Sequence, residues 1–274
     1  MEKIQKALEK AKLQREQQEQ KSGVIPHEKV STSVRHENKI PEEINYSQTQ
    51  CFSATNEVLK ANRVVAGIEG DPNADLFRVL RTKLLQRMRK DGLNTLAVTS
   101  PQKGGGKSMI TANLAIAIAM EMNQTVMLVD LDLRRPSVHK YFGFEPEKGL
   151  VDYLLDGADL PGLLVNPGIE RLVILPAGRQ VTQSSELIST PRMLNLVEEI
   201  TNRYTSRIIL FDLPPLLGMD DALTFLPNVQ STVLVVEEGG NSKEEIQQSI
   251  RLLENANLLG TVYNKAREIN HSPY

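Results

Sequence analysis

At 274 residues and 40% hydrophobic content, the chain is long enough for one substantial α/β domain with appended segments. Its 32 basic and 34 acidic residues leave a net charge of -2, so bulk electrostatics gives no support for nucleic acid as a partner. The single cysteine, Cys51, cannot form an internal disulfide, and no stretch reaches the roughly 18 to 20 apolar residues needed to cross a bilayer. The N-terminus also lacks the apolar core of a signal peptide, so a cytoplasmic protein is expected.

Residues 1–20 are strong helix formers, with Met1, Ile4, Leu8 and Ala11 forming a narrow apolar stripe among charges. The stripe reads equally as a surface for a partner helix and as a solvated helix that is marginal alone. Residues 21–70 are polar, rich in Ser, Asn, Glu and Pro, and read as a linker with at most short ordered pieces. From Asp71 the pattern changes. Pro72 and Asn73 sit where a helix can begin, and Phe77, Leu80, Leu84 and Met88 form its apolar stripe.

Residues 94–100 (NTLAVTS) then predict a buried strand, residues 109–122 an almost wholly apolar helix, and Thr125 to Asp130 the next strand. Further β-branched runs lie at 208–212, 232–236 and 260–264, with helical stretches at 191–204 and 243–255. This alternation predicts one α/β domain over residues 71–265: a mostly parallel sheet with helices on both faces and a ligand site at the carboxyl ends of its strands. Residues 266–274 form a short tail.

The run from Thr99 to Ser108 (TSPQKGGGKS) joins the first of these strands to the apolar helix. Gly104, Gly105 and Gly106 let the backbone curl around an anion, so that the amides of the loop, of Lys107 and Ser108 and of Met109 at the helix start can face phosphate oxygens. Lys107 adds a point charge and Ser108 a hydroxyl for a metal. The loop departs from GxxxxGK[ST] in having Pro101 six residues before Lys107, yet its place between strand and helix identifies it as a phosphate-binding loop.

Asp130 and Asp132, at the end of the VMLVD strand, can face one magnesium ion and an incoming hydroxyl; either alone also suits a cap for the helix beginning near Pro136. Asp212 ends a second apolar run, ILFD, where a carboxylate can hold a metal-bound water.

The loop, the DLDLRRP segment (residues 130–136) and the DLPPLLGMDDA run (residues 212–222) together resemble the three Walker-type motifs of the bacterial tyrosine kinases, or BY-kinases. Those are cytoplasmic autokinases of capsule and exopolysaccharide export, within the deviant Walker-motif P-loop NTPase superfamily. The resemblance extends over residues 71–265 and includes GLVDYLLDG (149–157), LPAG (175–178) and SSELISTPRM (184–193). It implies ATP and Mg2+ as ligands, with Lys107 and the loop amides on the β- and γ-phosphates and Ser108 and Asp212 on the metal. Asp130 is a further metal candidate. Asp130 or Asp132 would orient a tyrosine hydroxyl, and Arg134 would either stabilise phosphate charge or pair locally with an aspartate. Asn264, ending the last strand, is a candidate to read adenine.

The family also carries a Glu-x-x-Arg-x-x-Arg segment that builds a subunit ring; Asp75, Arg78 and Arg81 occupy those spacings here, with aspartate in place of glutamate. Its phosphate-accepting tail is tyrosine-rich, whereas this chain ends NHSPY with Tyr274 alone. Tyr46, Tyr141, Tyr153, Tyr204 and Tyr263 read as structural. The implied partner is a membrane-embedded polysaccharide chain-length regulator that recruits the protein to the inner membrane.

A third reading treats the chain mainly as an ATP-binding partner of that regulator, docked through its N-terminal helix; the leading rival is a partitioning or cell-division-site ATPase switch of the same superfamily. Those proteins place a lysine five residues before the loop lysine, where this chain has Gln102, with Lys103 one step out of register. An electron-transfer iron protein is excluded, because one cysteine cannot supply the thiolates of a bridging cluster.

Overall fold

The computed structural model describes residues 49–203 and 206–266. The expected N-terminal helix, residues 21–48 of the linker, Tyr46, Tyr204 and Tyr274 lie outside these residues.

Among the described residues, eight strands form one sheet in the order β1-β4-β5-β3-β6-β2-β7-β8. They are β1 (Gln50–Cys51), β2 (Thr95–Thr99), β3 (Thr125–Asp130), β4 (Val165–Asn166), β5 (Leu172–Leu175), β6 (Arg207–Asp212), β7 (Thr232–Glu237) and β8 (Leu258–Asn264). Every pairing is parallel except β4 with β5. The α-helices are α1 (Asn56–Ala61), α2 (Ala74–Lys90), α3 (Lys107–Ala119), α4 (Val138–Phe142), α5 (Leu150–Asp156), α6 (Ser184–Ile188), α7 (Pro191–Arg203), α8 (Asp221–Phe225) and α9 (Lys243–Leu252).

The central strands are buried on both faces, which is why they read as continuous apolar runs. Alternate residues nevertheless enter two separate cores. Leu96, Val98, Leu128 and Leu210 face α1 to α4, while Ala97, Val129, Phe211 and Leu234 face α5 to α8 and the end of α9. Helix α3 is apolar all round because it lies between the sheet and the buried face of α2 (Phe77, Leu84, Leu85, Met88). This is the mostly parallel sheet, covered on both faces, that the alternation of elements predicts.

The start of the domain differs from expectation. Residues 49–70, read from sequence as linker, carry β1 and α1 and bury Leu59, Val64, Ala66 and Ile68. Asn113 of α3 fixes this segment, its Oδ1 accepting from Val65 N at 2.7 Å and Ala66 N at 3.0 Å while its Nδ2 donates to Arg63 O at 2.9 Å. The segment is thus tied to the helix that carries the glycine loop. Its apolar residues are too sparse for a period, so its burial was invisible to pattern reading.

On α2 the three residues expected to meet a neighbouring subunit divide. Asp75 and Arg78 pair with each other on the exposed face at 2.6 Å. Arg81 turns inward instead, donating to Ala117 O at 3.1 Å and pairing with Glu121 at 3.0 Å. A cation here satisfies a carbonyl at the C-terminus of α3, where the helix dipole favours it.

Candidate functional site

The strand order places the ends of β3, β6 and β2 side by side, with Val98 opposite Asp212 and Asp212 opposite Asp130. The chain reverses strand order here, which is where doubly wound sheets open a crevice. The glycine loop leaves β2 against the segment after β6: Leu213 N donates to Val98 O at 3.0 Å, and Thr99 Oγ1 to Pro214 O at 2.7 Å. Gly106 closes the loop in the left-handed region (φ 88°), starting α3 at Lys107 rather than at Met109. A side chain there would be strained, and its Cβ would collide with Asn264.

Beyond the loop lies a cavity of about 940 Å³ whose lining includes Gly104, Lys107, Ser108, Asp132, Arg134 and Tyr141. At its floor Lys107 Nζ stands 3.0 Å from Asp132 Oδ2, 3.4 Å from Asp212 Oδ2 and 3.1 Å from Ser108 Oγ. Ser108 donates to Asp212 Oδ2 at 2.5 Å, and Thr111, one turn further along α3, donates to Asp212 Oδ1 at 3.3 Å. Thr111 joins the cluster through its place one helical turn after Ser108, and Ser137, whose Oγ lies 3.1 Å from that of Ser108, through the strand order that sets the segment after β3 beside α3; neither belongs to a sequence motif.

The electrostatics follow from burial. Burial disfavours the Lys107 ammonium, but Asp212, Asp132 and Asp130 outweigh it and hold the lysine above its ordinary value. Asp212 is pushed up by its complete burial, with Lys107 and Ser108 opposing the rise. Asp130 is pushed up to about 7, by burial first and then by Asp212.

Asp130 and Asp132, equivalent in sequence, separate in space. Asp130 Oδ1 accepts the Asp132 amide at 3.1 Å, and its Oδ2 accepts the amides of Ser137 and Val138, both at 3.0 Å. It anchors the loop and caps α4 from beneath the cavity, and is not part of the lining. Asp130 thus takes the capping role that its place before Pro136 also suits, while Asp132 faces the cavity. Asp132 uses Oδ1 for the Arg135 amide at 3.1 Å and presents Oδ2 to Lys107.

Arg134 lines the cavity while its Nε donates to Ser184 Oγ at 2.8 Å and to Asp221 Oδ2 at 3.1 Å. Asn264 is likewise redirected: its Nδ2 donates to Gly105 O at 2.9 Å, so it braces the loop and is outside the lining. Tyr141, read as structural, forms part of the cavity wall, and burial raises its phenol above the ordinary value. Tyr153 stacks under Arg192 at 4.5 Å, and Tyr263 is exposed on β8. Gln102, at the position of the rival family's lysine, pairs within its own chain, Nε2 lying 3.3 Å from Glu245 Oε1.

A glycine loop between a buried parallel strand and a helix, with its lysine facing one aspartate at the end of β6 and one just past the end of β3, defines a P-loop NTPase of the deviant Walker type. The ParA family, described as "NUBPL iron-transfer P-loop NTPase", matches residues 93–271. The chain is 30% identical over 204 residues to tyrosine-protein kinase YwqD of Bacillus subtilis, covering 74% of this chain and 85% of YwqD. It is 31% identical over 196 residues to tyrosine-protein kinase Etk of Escherichia coli, covering 71% of this chain and 27% of Etk. The solved kinase domain of Etk superimposes with a TM-score of 0.70 at 26% identity, covering 82% of this chain and 91% of that domain.

The chain belongs to the bacterial tyrosine kinase family of the capsule and exopolysaccharide type. It spans about a quarter of the length of several curated relatives it matches, such as the 26% of EpsB from Ralstonia solanacearum. Among the described residues no helix is long and apolar enough to cross a membrane.

Proposed function

We propose that the chain is an ATP-dependent protein-tyrosine kinase, moving the γ-phosphoryl group of ATP to a tyrosine hydroxyl in the control of capsule or exopolysaccharide synthesis. The observation that carries this reading is the floor of the cavity. There a single buried ammonium contacts carboxylates from two neighbouring strand ends, beside a serine hydroxyl at the start of a helix.

The residues fit a magnesium nucleotide. The left-handed Gly106 starts the helix, so that its N-terminus and the amides of Gly104, Gly105, Lys107, Ser108 and Met109 would hold phosphate oxygens. Ser108 and Asp212 supply the hard oxygen donors magnesium requires. When bound, the metal neutralises phosphate charge. Lys107 would hold the β- and γ-phosphates. Asp132, with its cavity-facing oxygen, accepts a hydrogen bond from the incoming phenol and orients it. Phosphoryl transfer has a loose transition state, so orientation matters more than base strength, and a carboxylate serves against a phenol of pKa about 10. Asp130 holds the Asp132 loop in place, and Arg134 supplies charge to the phosphoryl group.

On this reading Tyr274 is the phosphate acceptor and a neighbouring subunit receives it. The exposed Asp75 and Arg78, flanked by exposed Leu76 and Val79, contribute to self-association. A membrane-embedded chain-length regulator recruits the protein to the inner membrane. The in-chain pairing of Gln102 supports the kinase over the partitioning switch, which needs a lysine free to reach a second subunit.

The test is incubation with Mg-ATP and mass-spectrometric mapping of phosphotyrosine, with and without membranes from the native host. Phosphate on Tyr274 that disappears in Lys107→Met is the expected result. Hydrolysis without phosphotyrosine, even with those membranes, would overturn the kinase reading.

A further inference from the structure

One buried carboxylate has no part in the roles set out above. Asp221 opens α8 at 1% exposure, and Ser184 opens α6 fully buried; the Ser184 hydroxyl donates to Asp221 Oδ1 in a short contact. Both grip the same group, Arg134 Nε, at 2.8 Å from Ser184 Oγ and 3.1 Å from Asp221 Oδ2. Arg134 lies two residues beyond Asp132 on the loop from β3 and lines the cavity. Three chain segments distant in sequence therefore converge on the inner edge of one guanidinium.

A carboxylate at this depth is unfavourable without a cation, so Asp221 and Arg134 define each other's position. Arginine is long and has many rotamers. Clamping it at Nε selects one of them before any ligand arrives and removes the cost of ordering it during reaction.

We propose that Asp221, with Ser184 as its hydroxyl bridge, is a positioning residue for phosphoryl transfer. It holds Arg134 at Nε so that the two terminal nitrogens meet the phosphoryl group in transit more strongly than the bound nucleotide. This inference rests on the reading of the cavity as a phosphoryl-transfer site. It predicts that the clamp matters to the transition state and not to ground-state binding.

Calorimetric titration of the full chain with Mg-ADP, alone and with aluminium fluoride as a mimic of the transferring group, separates the two. In Asp221→Asn and Arg134→Ala, affinity for the fluoride complex should fall on the order of 100-fold while Mg-ADP affinity stays within about two-fold. Ser184→Ala, a milder change, should show the same split at smaller amplitude. The double variant Arg134→Ala/Asp221→Asn should bind the fluoride complex no more weakly than Arg134→Ala. The inference is overturned if Asp221→Asn and Ser184→Ala weaken both complexes equally or neither, or if Asp221→Asn adds its full effect to Arg134→Ala. Failure of the unaltered chain to bind Mg-ADP would instead remove the nucleotide-site reading beneath it.

Discussion

Lys107 occupies an extreme electrostatic position: an ammonium almost out of solvent, touching two carboxylates and influenced by a third. Replacing it with methionine should abolish nucleotide turnover. It should also lower the stability of the nucleotide-free protein by about 3–5 kcal/mol, because buried carboxylates lose their cation. Thermal melts at pH 8 measure this, and an unchanged midpoint would show the cluster to be neutral without the lysine. Gly106 poses a different constraint. Gly106→Ala strains a left-handed residue and drives Asn264 off the Gly105 carbonyl. A loss of about 1–3 kcal/mol is expected, with weaker nucleotide binding in the same titration. Asn264→Ala should cost about 1 kcal/mol through the lost brace alone.

At the scale of elements, the β3–α4 connection depends on Asp130, whose carboxyl stands at about 7 against an ordinary 3.8. A raised carboxyl favours the folded state while protonated. Its contribution is complete below about pH 4 and is lost as the pH rises toward 7, and the buried Asp212 acts in the same direction. In nucleotide-free protein with a chelator present, the melting midpoint should therefore decline more steeply between about pH 4 and 7 than in Asp130→Asn. Equal slopes would show that Asp130 does not titrate in that window. Helix α2 gives a second contrast. Arg81→Ala should destabilise the fold by about 1–2 kcal/mol, because it uncaps α3 and breaks the Glu121 pair. Loss of the exposed Asp75–Arg78 pair should cost no more than about 0.5 kcal/mol. Sedimentation velocity on the same variants tests self-association; a smaller assembly in Asp75→Ala with unaltered melting supports an interface on that face.

At the scale of the molecule, two cores on opposite faces of one sheet hold the strand ends in register, and the segment from residue 49 to 70 closes the first of them. A chain beginning at Asp71 should be less stable than one beginning at Thr49 by about 5 kcal/mol or more in thermal or denaturant melts, since Leu59, Val64 and Ile68 leave the core and Asn113 keeps only Met109 of its partners. Equal melting would return the segment to the linker. On the second face, Phe211 packs edge-on against Phe225 with centroids 4.9 Å apart, and Phe211→Ala should cost about 3–5 kcal/mol.

The sequence by itself determined the class of fold and the floor of the site. Apolar runs of strand length alternating with helical periods leave little choice but a covered parallel sheet, and such a sheet gathers strand-end residues such as Asp130, Asp132 and Asp212 at one edge beside the loop. Those signals are local, so a one-dimensional reading captures them. What the tertiary structure decided is how each polar group is used. Asp130 became a cap and Asp132 a cavity wall, Asn264 a brace, Arg81 an internal tie, and Asp221 with Ser184 a clamp on Arg134. Each assignment depends on which hydrogen-bond partner lies close by, from a segment 36, 50 or 159 residues away for Arg81, Arg134 and Asn264, and a buried polar group left without one costs free energy.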